Sequence, residues 1–428
     1  MWSESYSEGP EILEYINKLA EPIRPKITFG TAVVRTIWKD NLSKWVITLS
    51  SGRVLQFDAI IAGTGLLHKL NTPKIPGAEL FEGISFHTNQ WRNDVSLAGK
   101  NIGIIGTGAS GVQAVPRIAD MGVANLTVFQ RTASWVGPRL NFKYSDSAKF
   151  LLKHIPGLQR LYRWKIFWTY ESRFFIMLML PSKDIPIIGW LHGKLQSYIH
   201  KLVRNYIKNT VKDPDVAKKL TPDFPMGCKR ITPSDSYLEA FNKENVHLVT
   251  DKIEGINERG IVTMDEKAHD LDVIIYATGF DLLGSVNAFE VSGVDGKSLA
   301  DDHSDSPRAF YGMTHHLCPN YFMMGGPGIV LGHNTVLFVG ECQINYIRCG
   351  IEELLLRKAS SVCLKESSMD SYQEWSANKM KNKVFEGDKF CTGWYRNSRG
   401  VNWTFWPTNL ISFWWHTLDF DSENYMFV

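Results

Sequence analysis

The sequence has little that would make it a membrane-spanning, metal-stapled or nucleic-acid-binding protein. Its six cysteines (Cys228, Cys318, Cys342, Cys349, Cys363 and Cys391) form no CxxC pair and have no histidine at zinc spacing, so no metal site is expected. Thinly spread over a long chain, they read as reduced thiols of a cytoplasmic protein. The longest apolar stretch, FFIMLML at 174–180, is closed by Pro181 and falls far short of the roughly 20 residues a spanning helix needs. No transmembrane segment is expected. The opening, MWSESYSEGPEILEY, is acidic and has no apolar h-region, which argues against a secretory signal. A formal net charge of +3 leaves no basic excess for nucleic acid. A solenoid period and low-complexity tracts are absent too.

What is there is the composition of a globular enzyme, 44% hydrophobic and 21% charged over 428 residues, a length that calls for two domains. Residues 10–23 open with Pro10 and set Ile12, Leu13, Ile16 and Leu19 on one face, predicting a short amphipathic helix packed against a sheet. Three β-rich runs follow at 27–38, 45–49 and 54–62, separated by Asp40-Asn41 and Ser51-Gly52. Residues 101–131 alternate strand, glycine turn, helix and strand, the pattern of a parallel sheet with a right-handed crossover. Residues 140–220 read as a helix-rich, aromatic insertion. A second ladder at 246–249, 260–264 and 271–277 ends in Tyr276-Ala-Thr-Gly-Phe280. The similar endings Thr64-Gly65 and Thr278-Gly279 point to two related dinucleotide folds joined by paired crossings, an α/β architecture.

The chemistry starts at Asn101-Ile-Gly-Ile-Ile-Gly-Thr-Gly-Ala-Ser-Gly111, a buried strand running into GxGxxG and then a helix. Gly106 permits the tight turn, Gly108 lets the backbone approach a pyrophosphate, and Gly111 allows close helix–strand packing. Thr107, Ala109, Ser110 and Gln113 complete the turn and the first helical turns, whose free amides face the anion. A lone GxGxxG is weak evidence; its place between strand and helix makes it specific. The second strand ends in Arg131-Thr132, where an NAD-preferring fold carries an acid for the ribose hydroxyl. A guanidinium there suits a 2′-phosphate, so NADPH is preferred over NADH, with Thr132 as a further hydroxyl donor.

Ahead of that turn stands Phe81-Glu-Gly-Ile-Ser-Phe-His-Thr-Asn-Gln-Trp91, which fits FxGxxxHxxxW. Phe81, Gly83, His87 and Trp91 resemble the fingerprint of the Baeyer–Villiger monooxygenases, and Gly227-Cys-Lys-Arg-Ile231 looks like that family's Lys-Arg pair. Residues 325–328 (GGPG), 332–334 (GHN) and 392–407 resemble the C-terminal half of its 4-hydroxyacetophenone monooxygenase-like subgroup. The resemblance implies a two-dinucleotide-binding-domain flavoprotein fold using FAD and NADPH. One oxygen of O2 would be inserted into a small apolar or aromatic ketone, via a C4a-peroxyflavin, to give an ester or lactone. It implies that Lys229 joins Arg131 on the 2′-phosphate and that Arg230 reaches the flavin and stabilises the anionic peroxide and the adduct. His87 takes a conformational and hydrogen-bonding role, while Thr64, Gly65, Thr278 and Gly279 fall to cofactor binding. Arg92 stands where the fingerprint usually continues with Pro or Asp.

The resemblance also begins in the middle of the family's pattern. A complete member opens with its own strand and GxGxxG for FAD, and no such segment precedes Trp2, so a chain shortened by the first FAD βαβ unit is expected. The expected architecture is an FAD-domain remnant at 1–65 and 278–428, interrupted by an NADPH domain at 66–277. Two alternatives stay open: a nitrogen- or sulfur-oxidising flavin monooxygenase, against which Trp91 and Arg230 speak, and a non-catalytic NADPH-binding remnant. Oligomeric state is not legible.

Overall fold

The computed structural model describes residues 2–179, 186–304, 306–381, 383, 384, 391, 395–397 and 399–428. Its strands are β1 (Val33–Lys39), β2 (Lys44–Leu49), β3 (Val54–Phe57), β4 (Ile60–Ala62), β5 (Ile84–His87), β6 (Asn101–Ile105), β7 (Asn125–Phe129), β8 (Val136–Gly137) and β9 (Thr232–Pro233). They continue with β10 (Val246–Val249), β11 (Ile253–Asn257), β12 (Gly260–Thr263), β13 (Ala268–Asp270), β14 (Val273–Tyr276), β15 (Glu290–Ser292) and β16 (Tyr321–Met323). The helices that matter below are α1 (Gly9–Ala20), α2 (Ala109–Ala119), α3 (Asp146–His154), α4 (Leu158–Arg173) and α5 (Pro186–Thr210).

The central sheet is five-stranded and parallel, in the order β10-β7-β6-β14-β5. Its inner strands are unbroken apolar runs because both faces are covered. Ile102, Ile104, Val273 and Ile275 point into a core shared with α2 and the last turns of α5. Their neighbours Ile105, Ile274 and Tyr276 point the other way, into a cluster closed by Ile256 and Ile261 of the antiparallel sheet β11-β12-β13. The 140–220 insertion lies between β7 and β10, which are hydrogen-bonded neighbours, so it leaves the sheet and returns to its edge.

A second sheet, β15-β1-β2-β3, flanks the short parallel pair β4-β16. Trp45 is fully buried there and donates Nε1–H to the Pro319 carbonyl at 2.7 Å. The run expected at 27–38 becomes a strand only from Val33, and 54–62 divides into β3 and β4, which join different sheets.

Two expectations are corrected. The helix at 10–23 forms as α1 and gives way to a 3-10 turn, Glu21–Lys26, carrying Pro22 and Pro25, but it does not pack against a sheet. Ile12, Leu13, Ile16 and Leu19 are all exposed, and the segment is held by polar contacts, Ser3 to Glu11 and Glu8 to Arg117. The cysteines are not all free thiols. Cys228 and Cys391 are joined in a disulfide, whereas Cys318, Cys342, Cys349 and Cys363 are free. Spacing could not show this, because a fold-determined contact brings two distant cysteines together.

The insertion is pinned by one buried carboxylate. Glu171 on α4 has no exposed surface and accepts from His333 Nε2 at 3.2 Å, Asn334 Nδ2 at 2.7 Å and the Leu410 amide at 2.7 Å. Burial pushes its pKa up, but these bonds outweigh that and hold it below the ordinary glutamate value. Glu171→Ala would strand three donors, so a loss of about 3 to 5 kcal/mol is expected. Urea unfolding would register it as a lower midpoint at unchanged slope; a midpoint equal to that of the unsubstituted protein would remove the pin from the account.

Candidate functional site

The parallel register sets the site. β14 pairs with β6 on one side and β5 on the other, aligning Tyr276 with both Ile105 and His87. The glycine turn after β6, the Ala277-Thr278-Gly279 turn after β14 and His87 therefore leave the sheet at one edge.

At the turn, Gly106 has φ 110° and its amide donates to the Phe129 carbonyl at 3.1 Å. A Cβ there would lie 2.5 Å from the Ala277 carbonyl oxygen, and one on Gly111 would collide with the Gly106 carbonyl. Gly108 has open space on its Cβ side; it and Ala109 are exposed at the start of α2, with Ser110 half-buried. The helix N-terminus thus presents free amides to solvent, as an anion site requires. Thr107 is buried, its hydroxyl donating to the Thr132 carbonyl at 2.9 Å. Ser134, which sequence reasoning missed, donates to the Thr107 carbonyl at 2.5 Å. The exposed Gln113 bonds back to the Ala109 carbonyl at 3.1 Å.

Arg131, just beyond β7, and Lys229, far apart in sequence, lie near enough for their charges to interact. Burial lowers the Lys229 pKa, and the nearby positive charge of Arg131 lowers it further, while Asp223 opposes both. Lys229 Nζ sits 5.0 Å from the centre of the Phe224 ring. A lysine and an arginine whose charges act on each other, only partly offset by Asp223, suit a multiply charged anion. Arg230 is exposed, and its backbone amide donates to the Tyr395 hydroxyl at 3.2 Å. The Cys228–Cys391 bond ties the segment just before Lys229 to the same C-terminal stretch. In the run 392–407, residues 392–394 and 398 lie outside the described residues, as do Leu180 and Pro181.

His87 is 3% exposed. Burial lowers its pKa, opposed by the neighbouring Gly279 carbonyl, so the ring is neutral at pH 7. Nδ1 accepts from the Asn89 amide at 3.1 Å, which places the proton on Nε2, an atom with no partner in hydrogen-bonding geometry among the described residues. The ring stands 5.8 Å from Phe280. Gly83 is required because a Cβ would meet the Asp272 carbonyl at 2.6 Å. Trp91 packs edge-on against Phe86, and the off-pattern Arg92 is neutralised by Asp94.

Thr278 and Gly279 are committed to the crossing between sheets. The Thr278 hydroxyl donates to the Asn71 carbonyl at 2.5 Å, and the Asn71 amide donates to the Gly279 carbonyl at 3.0 Å. Leu70 bridges Phe280, and Lys69 pairs with Asp281 at 3.4 Å. Nothing in the sequence marked Asn71. Thr64 and Gly65 lie elsewhere, exposed after β4, lining a small cavity of about 20 Å³ with Met324, Gly325 and Gly326 after β16. Gly65 and Gly325 have φ 74° and 77°, and neither has an atom within 4 Å of where a Cβ would stand. Two open glycine backbones on the rim of that cavity leave the main chain open to approach. His333 and Asn334, from the Gly-His-Asn run at 332–334, instead face Glu171.

The Flavin-binding monooxygenase-like family matches residues 5–151. A Baeyer–Villiger monooxygenase of Pseudomonas aeruginosa is 30% identical over 427 residues, 99% of this chain and 78% of that protein. An uncharacterized monooxygenase of Mycobacterium bovis is 34% identical over 411 residues, 95% of this chain and 79% of its own length. Among solved structures, OTEMO in complex with FAD and NADP superposes with a TM-score of 0.85 at 26% identity, covering 100% of this chain and 86% of that one. An oxidized steroid monooxygenase bound to NADP gives 0.82, with the same identity and coverage. With its α/β fold matched end to end and its sequence related over nearly its full length, this chain belongs to the Baeyer–Villiger monooxygenase family of flavin-binding monooxygenases.

Proposed function

We propose that this chain is an NADPH- and FAD-dependent monooxygenase that carries out Baeyer–Villiger oxidation. A ketone, O2, NADPH and a proton give an ester or lactone, NADP+ and water. The observation that carries the reading is the open GxGxxG helix start after β6, with Arg131 just beyond the neighbouring strand β7 and the Lys229 charge within its reach. That pair suits the 2′-phosphate of NADPH, and the exposed amides at Gly108 and Ala109 suit its pyrophosphate. The open backbones at Gly65 and Gly325, with Thr64 beside them, fit one wall of an FAD site. FAD, when bound, supplies hydride acceptance and activation of O2. Neutral His87 packs its ring against Phe280 beside the Gly279 turn, so that cofactor contacts on the two crossings move together. Arg230, a guanidinium reachable from solvent, stabilises the oxyanion that develops on the substrate. The substrate class that goes with this is a small apolar or aromatic ketone.

Incubating the protein with FAD, NADPH, 18O2 and either a ketone or a sulfide tests the reaction. One labelled oxygen in an ester is expected; a labelled sulfoxide alone would move the assignment to heteroatom oxidation. NADPH binding with no oxygen uptake would leave a cofactor-binding protein. Arg131→Ala is expected to weaken NADPH binding by about 10- to 100-fold, the worth of a charge-assisted contact, and to leave NADH binding unchanged. Equal losses for both nucleotides, read by titration calorimetry, would detach Arg131 from the 2′-phosphate. Arg230→Met should keep NADPH affinity and lower ester formation by about 100-fold. If NADPH affinity falls instead, Arg230 belongs with the nucleotide and not with the oxygen chemistry.

A further inference from the structure

The helical insertion carries a surface that neither the core nor the proposed reaction uses. On α5, Ile187, Leu191, Leu195, Tyr198 and Leu202 recur at helical spacing and are 42–74% exposed. Trp190 beside them is 62% exposed. On α4, Leu161, Trp164 and Trp168 form a second stripe, at i, i+3 and i+7, exposed to 69%, 67% and 47%. A stripe of this kind normally faces a core. The C-terminal part of α5 does so, with Ile207 buried under the central sheet and Val211 just past its end, but the stripe at 187–202 is exposed among the described residues.

The charge carried by these two helices is almost all positive, with Arg163 on α4 paired to Glu341 at 3.3 Å. α4 and α5 together hold eight lysines and arginines and a single acid, Glu171, which is fully buried. Across the whole chain the balance is 47 to 44, so the excess is local. Lys194, Lys201 and Lys208, spaced by seven, run exposed alongside the apolar stripe of α5. Tryptophan, tyrosine and leucine flanked by lysine on one helical surface is the composition that lies in a lipid headgroup layer. The cations match anionic phosphates within a Debye length of the bilayer. Pairing two copies through this surface would oppose like charges. Among the described residues no helix is long and apolar enough to cross a membrane, so the contact is with the bilayer surface.

We propose that the α4–α5 surface docks this protein on an anionic lipid bilayer, with Trp164, Trp168 and Trp190 entering the headgroup region and the lysines facing lipid phosphates.

Flotation of the full chain with vesicles tests this. Binding is expected on phosphatidylcholine mixed with phosphatidylglycerol, about tenfold or more weaker on phosphatidylcholine alone, and released by high salt. The exposed double variants Lys194→Glu/Lys201→Glu and Leu191→Ser/Leu195→Ser should each weaken binding by about tenfold or more. Without mutating the charged or aliphatic positions, brominated lipids should quench tryptophan emission, and Trp164→Phe/Trp168→Phe/Trp190→Phe should remove most of that quenching. Failure of the unsubstituted chain to float, or quenching that survives the triple substitution, would overturn the proposal. So would a lipid-free dimer that either double variant dissolves, since the face would then lie between two copies.

Discussion

The site depends on the parallel pairing of β14 between β6 and β5. Once Tyr276 is in register with Ile105 and His87, three segments far apart in sequence must leave the sheet at one edge. These are the nucleotide turn, the Thr278-Gly279 crossing and the fingerprint histidine. The register is enforced by burial on both faces: a one-residue slip of β14 would exchange Ile274 and Tyr276 for Val273 and Ile275 in two differently shaped clusters. Closeness of backbone tightens it further, because Gly106, Gly111 and Ala277 pack with no room for another carbon at either glycine.

Electrostatics follows from that frame. Arg131 extends the end of β7, and Lys229 arrives on a segment restrained from two sides, by the Cys228–Cys391 bond and by the Tyr395 hydroxyl on the next amide. Burial lowers the Lys229 pKa, and repulsion from the Arg131 charge lowers it further in the free protein. A phosphate dianion relieves that repulsion, so the arrangement selects for the 2′-phosphorylated nucleotide more strongly than a single cation would.

Much of this was legible in the sequence where chemistry needs a fixed pattern. GxGxxG, the Arg131-Thr132 strand end and the FxGxxxHxxxW run could be placed because glycines and strand periodicity act locally. Long-range partners were not legible. Asn71, which satisfies Thr278 and Gly279, sits in a loop with no periodic signal, and Ser134 has only its nearness to Arg131 to mark it. The α1 face misled for a related reason: amphipathic spacing tells which side of a helix is apolar and says nothing of what covers it. The Gly-His-Asn stretch at 332–334 turned out to serve Glu171, a contact that only the three-dimensional path of α4 creates.

That carboxylate has a dynamic consequence. Separating α4 from the 333–334 loop and from the helix beginning at Leu410 would expose one charge and orphan three donors in the same event. No partial separation relieves the penalty of another, so these segments cannot fray one at a time. They form a single cooperative unit in the sense of native-state hydrogen exchange, and amides at their junction should share one opening free energy although the chain joins them only through long detours.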